Sequence, residues 1–150
     1  MRHADAPGAG DPQGYRLDDC STQRNLSDKG RGQARALGDA FRAHAVPVGK
    51  VMSSQWCRCL EMARLMDVGA VEQVAAFNNA FVLSAQRDAL TRAARAVLSQ
   101  WTGPGALVVV THGDNIGLLT GINPAQSEIV IVRSASGKLS VIGRIGAGVS

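Results

Sequence analysis

Two rhythms of apolar residues alternate along this chain. Behind Ser27, a natural helix N-cap with Asp28 in the turn that follows, Ala34, Leu37, Gly38 and Phe41 recur at helical spacing. Pro47 and Gly49 then interrupt the pattern, and residues 50–53 read as a short strand. Residues 55–66 return to helical spacing, with Leu60, Ala63 and Leu65 on the apolar side, and residues 70–74 form a candidate strand before a loop around Asn78 and Asn79. A third helix is predicted over residues 84–101. Its stripe is Leu90, Ala93, Ala94, Val97, Leu98 and Trp101, with Arg87, Arg92 and Arg95 mostly off it, and Gly103, Pro104 and Gly105 end it. Residues 106–111 are apolar on both faces, the mark of a central parallel strand. A short helix follows His112, and residues 128–133 and 138–145 form a hairpin turning at Ser136 and Gly137. Residues 4–20, rich in Gly, Pro and Asp, have no period and read as a loop.

This alternation predicts one domain over residues 1–150, a three-layer α/β/α arrangement on a mostly parallel sheet. Such sheets bind ligands beyond the carboxyl ends of their strands. His3, Ser53, Ser54 and His112 all fall on that edge.

Composition narrows the field. Hydrophobic content of 45% and charged content of 19% belong to a globular chain. The net charge of +4 rests on 13 Arg against 3 Lys. Arginine is the better bidentate phosphate ligand, although surface solvation accounts for most of these. The basic residues are scattered and aromatics make up only 4%, which argues against a nucleic-acid groove. No apolar run has the length of a membrane span, and no secretion signal precedes the domain, so the chain as given reads as cytoplasmic with no membrane partner. Three cysteines are too few for a disulfide scaffold; a bridge from Cys20 to Cys57 or Cys59 would need an oxidising compartment.

The chemistry-bearing residues occur in four groups. They are Arg2-His3-Ala4-Asp5; the run from Leu26 through Ser27, Gly30, Gln33 and Ala34; Ser53-Ser54-Gln55-Trp56-Cys57-Arg58 with Glu61 and Ala63; and Thr111-His112-Gly113. In this order they resemble the motifs of the histidine phosphatase superfamily, also called phosphoglycerate mutase-like, and most of all its small single-domain branch. That resemblance implies hydrolysis of phosphomonoesters or phosphoramidates through a phosphohistidine on His3. Arg2, Arg58 and His112 would surround the phosphoryl oxygens, with Asn115 also binding substrate and the helix after Gly113 adding backbone N–H groups. It implies no metal and no cofactor, and a phosphorylated small molecule or phosphoprotein as partner; oligomeric state is left open. For the leaving group's proton, Asp114 is the candidate acid, with a helix N-terminal role as the alternative and Asp5 and Asp18 weaker choices.

The chain departs from the family pattern in several places. Ala4 stands for Gly and adds a methyl near the phosphate, Gln55 stands for Pro, and Met62 stands for Thr. Mutase activity is disfavoured by the missing Glu, and His44 has no motif around it. The first central strand is missing or truncated ahead of Arg2. Its loss would remove several buried side chains at roughly 1.5–3 kcal/mol each. The expectation is therefore an upstream extension, which could carry a secretion signal and place the protein in the periplasm or outside the cell. These departures also support an alternative, a catalytically impaired phosphate-binding pseudo-enzyme. A third reading takes Cys57, Cys59, His3 and His112 as metal ligands, although the Cys-x-Cys spacing lacks the usual second pair.

Overall fold

Three parallel strands, β1 (Val48–Ser53), β2 (Val71–Gln73) and β3 (Ala106–Val110), lie in the order β2-β1-β3 in a computed structural model that describes residues 1–146. Val51 and Ser53 of β1 stand opposite Val108 and Val110 of β3. Side chains alternate across a strand, so the sheet sorts them into two cores. Val51, Val108 and Val110 face one core with Leu37 of α1 (Asp28–Ala43) and Cys59, Met62 and Met66 of α2 (Cys57–Met66). Met52, Leu107 and Val109 face the other with Ala94 of α3 (Arg87–Gln100) and Leu119 of α4 (Gly113–Thr120). Helices on both faces of a parallel sheet give the three-layer architecture expected.

Local chemistry sets the element ends. Ser27 caps α1 by accepting from the Gly30 N–H at 3.0 Å. Gly30 has no substitute, since a Cβ there would stand 2.2 Å from the Asp5 carbonyl oxygen. The chain after His3 can therefore run directly against this helix. The second helix begins at Cys57 rather than residue 55, because Asn78 and the Ser54 hydroxyl hold the Gln55 and Trp56 N–H groups in a turn. Residues 84–86 form a single 3-10 turn ahead of α3. Within α3 only Ala94 is fully buried and Ala93 is exposed, so the predicted stripe is narrower than its periodicity implied. The hairpin is β4 (Ile129–Ala135) and β5 (Lys138–Ile145), turning through Ser136 and Gly137, both at positive φ.

Residues 1–3 run along the end of β3 as a stub. Arg2 bridges Thr111 in parallel, the His3 N–H donates to the Thr111 carbonyl at 2.9 Å, and the Thr111 N–H donates to Met1 at 3.0 Å. On its other side the Arg2 N–H donates to Glu128 at 3.1 Å, just ahead of β4. Below this stub a groove of about 780 Å³ runs between β3 and β4, lined by Phe41, Leu98, Leu107, Val109, Ile129 and Ile131. The Met1 amine sits at its end and donates to the Val109 carbonyl at 2.7 Å, and burial lowers its pKa to about 6. A charged amine is costly there and an amide is not. An apolar five-residue stretch joined to Met1 is expected to raise the Tm by at least about 5 °C over a Gly-Ser stretch of equal length, measured by scanning calorimetry.

Candidate active site

Four of the predicted residues meet where the strands end. The stub delivers Arg2 and His3, β3 delivers His112 as the residue before α4, and the turn after β1 delivers Ser54 and then Arg58 in the first turn of α2. The rings of His3 and His112 lie 5.5 Å apart, edge to face. Arg58 Nε donates to His3 Nε2 at 3.3 Å. Gly113 leaves room for Arg2, whose Nε would stand 3.4 Å from a Cβ at that position, while its Nη1 donates to the Pro124 carbonyl at 2.8 Å. His3, Arg58 and His112 are all buried.

Hydrogen bonding decides the tautomer of His3. Its Nδ1 faces the Ala4 carbonyl at 2.9 Å, and a carbonyl only accepts, so Nδ1 carries the proton. Nε2 therefore holds its lone pair toward Arg58. Burial lowers the His3 pKa to about 3, against the upward pull of the Ala4 carbonyl and with further lowering from Arg58, Arg24 and Arg2. His112 is likewise held well below its ordinary value, by burial first and then by Arg58 and His3. Its Nε2 lies 2.9 Å from Ser54 Oγ and 3.6 Å from Cys59 Sγ. Burial also pushes the Cys59 thiol up to about 12, so it is a neutral neighbour.

Both histidines are thus neutral in the fold. Between the ordinary value of 6.5 and about 3, the unfolded chain takes up protons at His3 that the folded chain refuses, and His112 acts in the same direction. Folding stability is full above pH 6.5 and falls on acidification, by up to about 1.4 kcal/mol per pH unit for each histidine. The Tm is expected to be clearly lower at about pH 4.5 than at about pH 7; an unchanged Tm in calorimetry would contradict the neutral pair.

Two buried polar atoms at this site, Arg2 Nε and His112 Nδ1, have no hydrogen-bond partner among the described residues. Each unpaired buried donor or acceptor costs free energy, and such atoms mark places that accept a polar ligand. The remaining predicted residues lie differently. Asp114 is exposed in the first turn of α4. Asn115 is buried, and the 78–80 loop engages both ends of its carboxamide: Oδ1 accepts from the Ala80 N–H at 3.1 Å and Nδ2 donates to the Asn78 carbonyl at 2.7 Å. The amide thus holds a loop, which leaves one Nδ2 N–H for the expected substrate contact. Asp5 accepts from the Ser27 hydroxyl at 2.5 Å, and Asp18 pairs with Arg16 on the exposed surface. The Ala4 methyl packs in the core, where the Ala4 N–H meets Met62 Sδ at 3.1 Å, so two of the departures from the family pattern are coupled. Cys57 is bridged to Cys20, which removes it from any metal-ligand set.

Sequence reasoning missed Asp11 and Arg24. Asp11 grips Arg58 from the end, Oδ1 to Nη1 at 2.8 Å and Oδ2 to Nη2 at 3.1 Å, with both side chains out of solvent. It also accepts from Trp56 Nε1 at 3.0 Å and the Arg24 N–H at 3.1 Å. Burial pushes the Asp11 carboxyl up, but its bonds to Arg58 and that residue's charge outweigh the burial and leave it below its ordinary value. Arg24 ties the same loop down through the carbonyls of Ala6 and Gly10. A Gly-Asp-Pro stretch reads as a turn, and only Arg24's place just before a helix start could have drawn notice.

No family model matches the chain, and no curated protein does. Solved structures do match its fold. The protein histidine phosphatase SixA, solved with tungstate, has a TM-score of 0.62 at 18% identity over 98% of this chain and 94% of its own. An open reading frame product of Mycobacterium tuberculosis has a TM-score of 0.69 at 16% identity over 95% and 93%. Phosphoserine phosphatase of Entamoeba histolytica, solved with 3-phosphoglyceric acid, has a TM-score of 0.64 at 11% identity over 95% and 93%. This chain shares the fold of these solved structures.

Proposed function

We propose that this chain is a phosphatase of the histidine phosphatase type, hydrolysing phosphomonoesters or phosphoramidates through a phosphohistidine on His3. The observation that carries the reading is the state of His3: neutral, protonated on Nδ1, and presenting the Nε2 lone pair beside a buried guanidinium. A protonated imidazole has no lone pair to give, and an exposed one would not be held in line. Nε2 attacks phosphorus as the bond to the leaving oxygen or nitrogen breaks. Water then attacks the phosphoramidate, releasing inorganic phosphate and restoring the neutral ring.

Charge on the three equatorial oxygens is met by Arg58, by Arg2 Nε and by His112 Nδ1, the latter two being the buried atoms that lack partners. The leaving group's proton comes from Asp114, the carboxyl in the first turn of α4, two residues from His112. Asp11 is unsuited to that task because Arg58 holds it ionised. The similarity to SixA and to phosphoserine phosphatase supports a phosphorylated protein or small molecule as substrate. No described helix is long and apolar enough to cross a membrane. The bridge between Cys20 and Cys57 favours an oxidising compartment, periplasmic or extracellular, over the cytoplasm.

The test is turnover of p-nitrophenyl phosphate combined with trapping of the enzyme by a phosphate-labelled substrate. The expected label is lost in acid and stable in alkali, as an N–P bond behaves. Binding of phosphate without turnover would establish the pseudo-enzyme alternative instead, and an acid-stable label would move the nucleophile off His3.

A further inference from the structure

We propose that Asp11 is a positioning residue for Arg58: its carboxylate grips the end of the guanidinium and so turns the Nε edge toward His3. The proposal rests on the phosphatase reading of the site and adds to it a residue from the 4–20 loop.

A guanidinium has five N–H donors in one plane. In Arg58, Nη1 gives one to Asp11 Oδ1 and another to the Arg24 carbonyl at 3.1 Å. Nη2 gives one to Asp11 Oδ2, and Nε gives its own to His3 Nε2. The fifth N–H, on Nη2, lies on the same edge as Nε. The end of the fork is therefore occupied by protein, and the one donor left for a phosphoryl oxygen is this Nη2 N–H, on the edge that faces the nucleophile. Asp11 is itself fixed. Its two oxygens accept from four N–H groups, those of Arg58 Nη1 and Nη2, Trp56 Nε1 and the Arg24 backbone. Trp56 is fully buried and packs on Tyr15. The loop bearing Asp11 is also joined covalently next to Arg58, since Cys57 bridges to Cys20.

An arginine on a flexible side chain can meet phosphate in many ways, and only those that match the transition state help. A rigid carboxylate behind it selects one of them before substrate arrives. Two other roles for the same contact are a purely structural ion pair and a carboxylate that blocks the phosphate's seat. Each predicts a different result.

The experiment uses the whole chain with Asp11→Asn, which keeps shape but loses charge and one acceptor, and Asp11→Glu, which keeps charge but moves it by a methylene. The readouts are kcat and KM for p-nitrophenyl phosphate and inhibition by orthovanadate, with melting curves to count folded protein. Positioning predicts that kcat falls on the order of a hundredfold per folded site in Asp11→Asn while KM changes much less. Vanadate, which takes the five-coordinate geometry of the transferring group, weakens in parallel, and Asp11→Glu rescues neither fully. A fall in Tm with unchanged kcat would overturn the proposal in favour of a structural pair. Faster turnover or tighter vanadate would overturn it in favour of a blocking carboxylate. Absence of turnover in the wild type is a failure of the phosphatase reading, and the vanadate comparison still decides the role of Asp11. A wild type that neither turns over nor binds vanadate overturns both.

Discussion

His3→Ala is expected to abolish turnover, lowering kcat roughly 10⁴-fold or more, and to leave no acid-labile phosphoryl label on the protein. The size follows from the role. Without Nε2 no covalent intermediate forms, and direct attack by water must then cross the full barrier on phosphate that the arginines still hold. The fold should survive. Losing the ring leaves the Ala4 carbonyl and the Arg58 Nε–H without it, at about 1–3 kcal/mol each. Removing a buried neutral histidine also removes one of the groups that make the fold acid-sensitive, so the variant's Tm should fall less steeply below pH 6.5. A variant that keeps wild-type turnover while melting normally would exclude His3 as the nucleophile. One that binds vanadate as before but turns nothing over would separate binding from chemistry.

Arg58→Ala is expected to damage both chemistry and stability. It removes the donor edge facing His3, for which a loss on the order of 10²–10³ in kcat is the usual scale. It also strands Asp11, a carboxylate whose side chain is 1% exposed. Breaking a buried ion pair from one side costs roughly 3–5 kcal/mol, a large share of the stability of a domain of this size. Purified Arg58→Ala should therefore melt well below the wild type and turn over on the order of 10²–10³-fold more slowly. Arg58→Lys separates the two losses. It restores a charge for Asp11 but not the fork, so the Tm should recover substantially and kcat should not. Recovery of activity by lysine would show that charge alone matters at this position.

What was legible in the sequence follows from physical range. Helical spacing behind Ser27, the apolar run at 106–110 and the turn at Ser136 and Gly137 are local patterns, and each element formed close to where it was expected. That His3 and His112 share one edge was legible because a parallel sheet sends its strand ends there, and Arg2 and Arg58 were singled out by the motif resemblance. Boundaries set by side chains from elsewhere were not legible. The start of α2 depends on Asn78, twenty-three residues from Gln55. The bonds from Asn115 to the 78–80 loop were not legible either, since they depend on where the loop passes.

By itself, the sequence determined the three-layer class and the strand and helix order, because periodicity and N-caps act over a few positions. Only the tertiary structure decided the rest. It chose Cys57 over Cys59 as the partner of Cys20, and it placed Asp11 behind Arg58 from a loop without any period. It also made both histidines neutral, since desolvation depends on what is packed around a ring rather than on its neighbours in the chain.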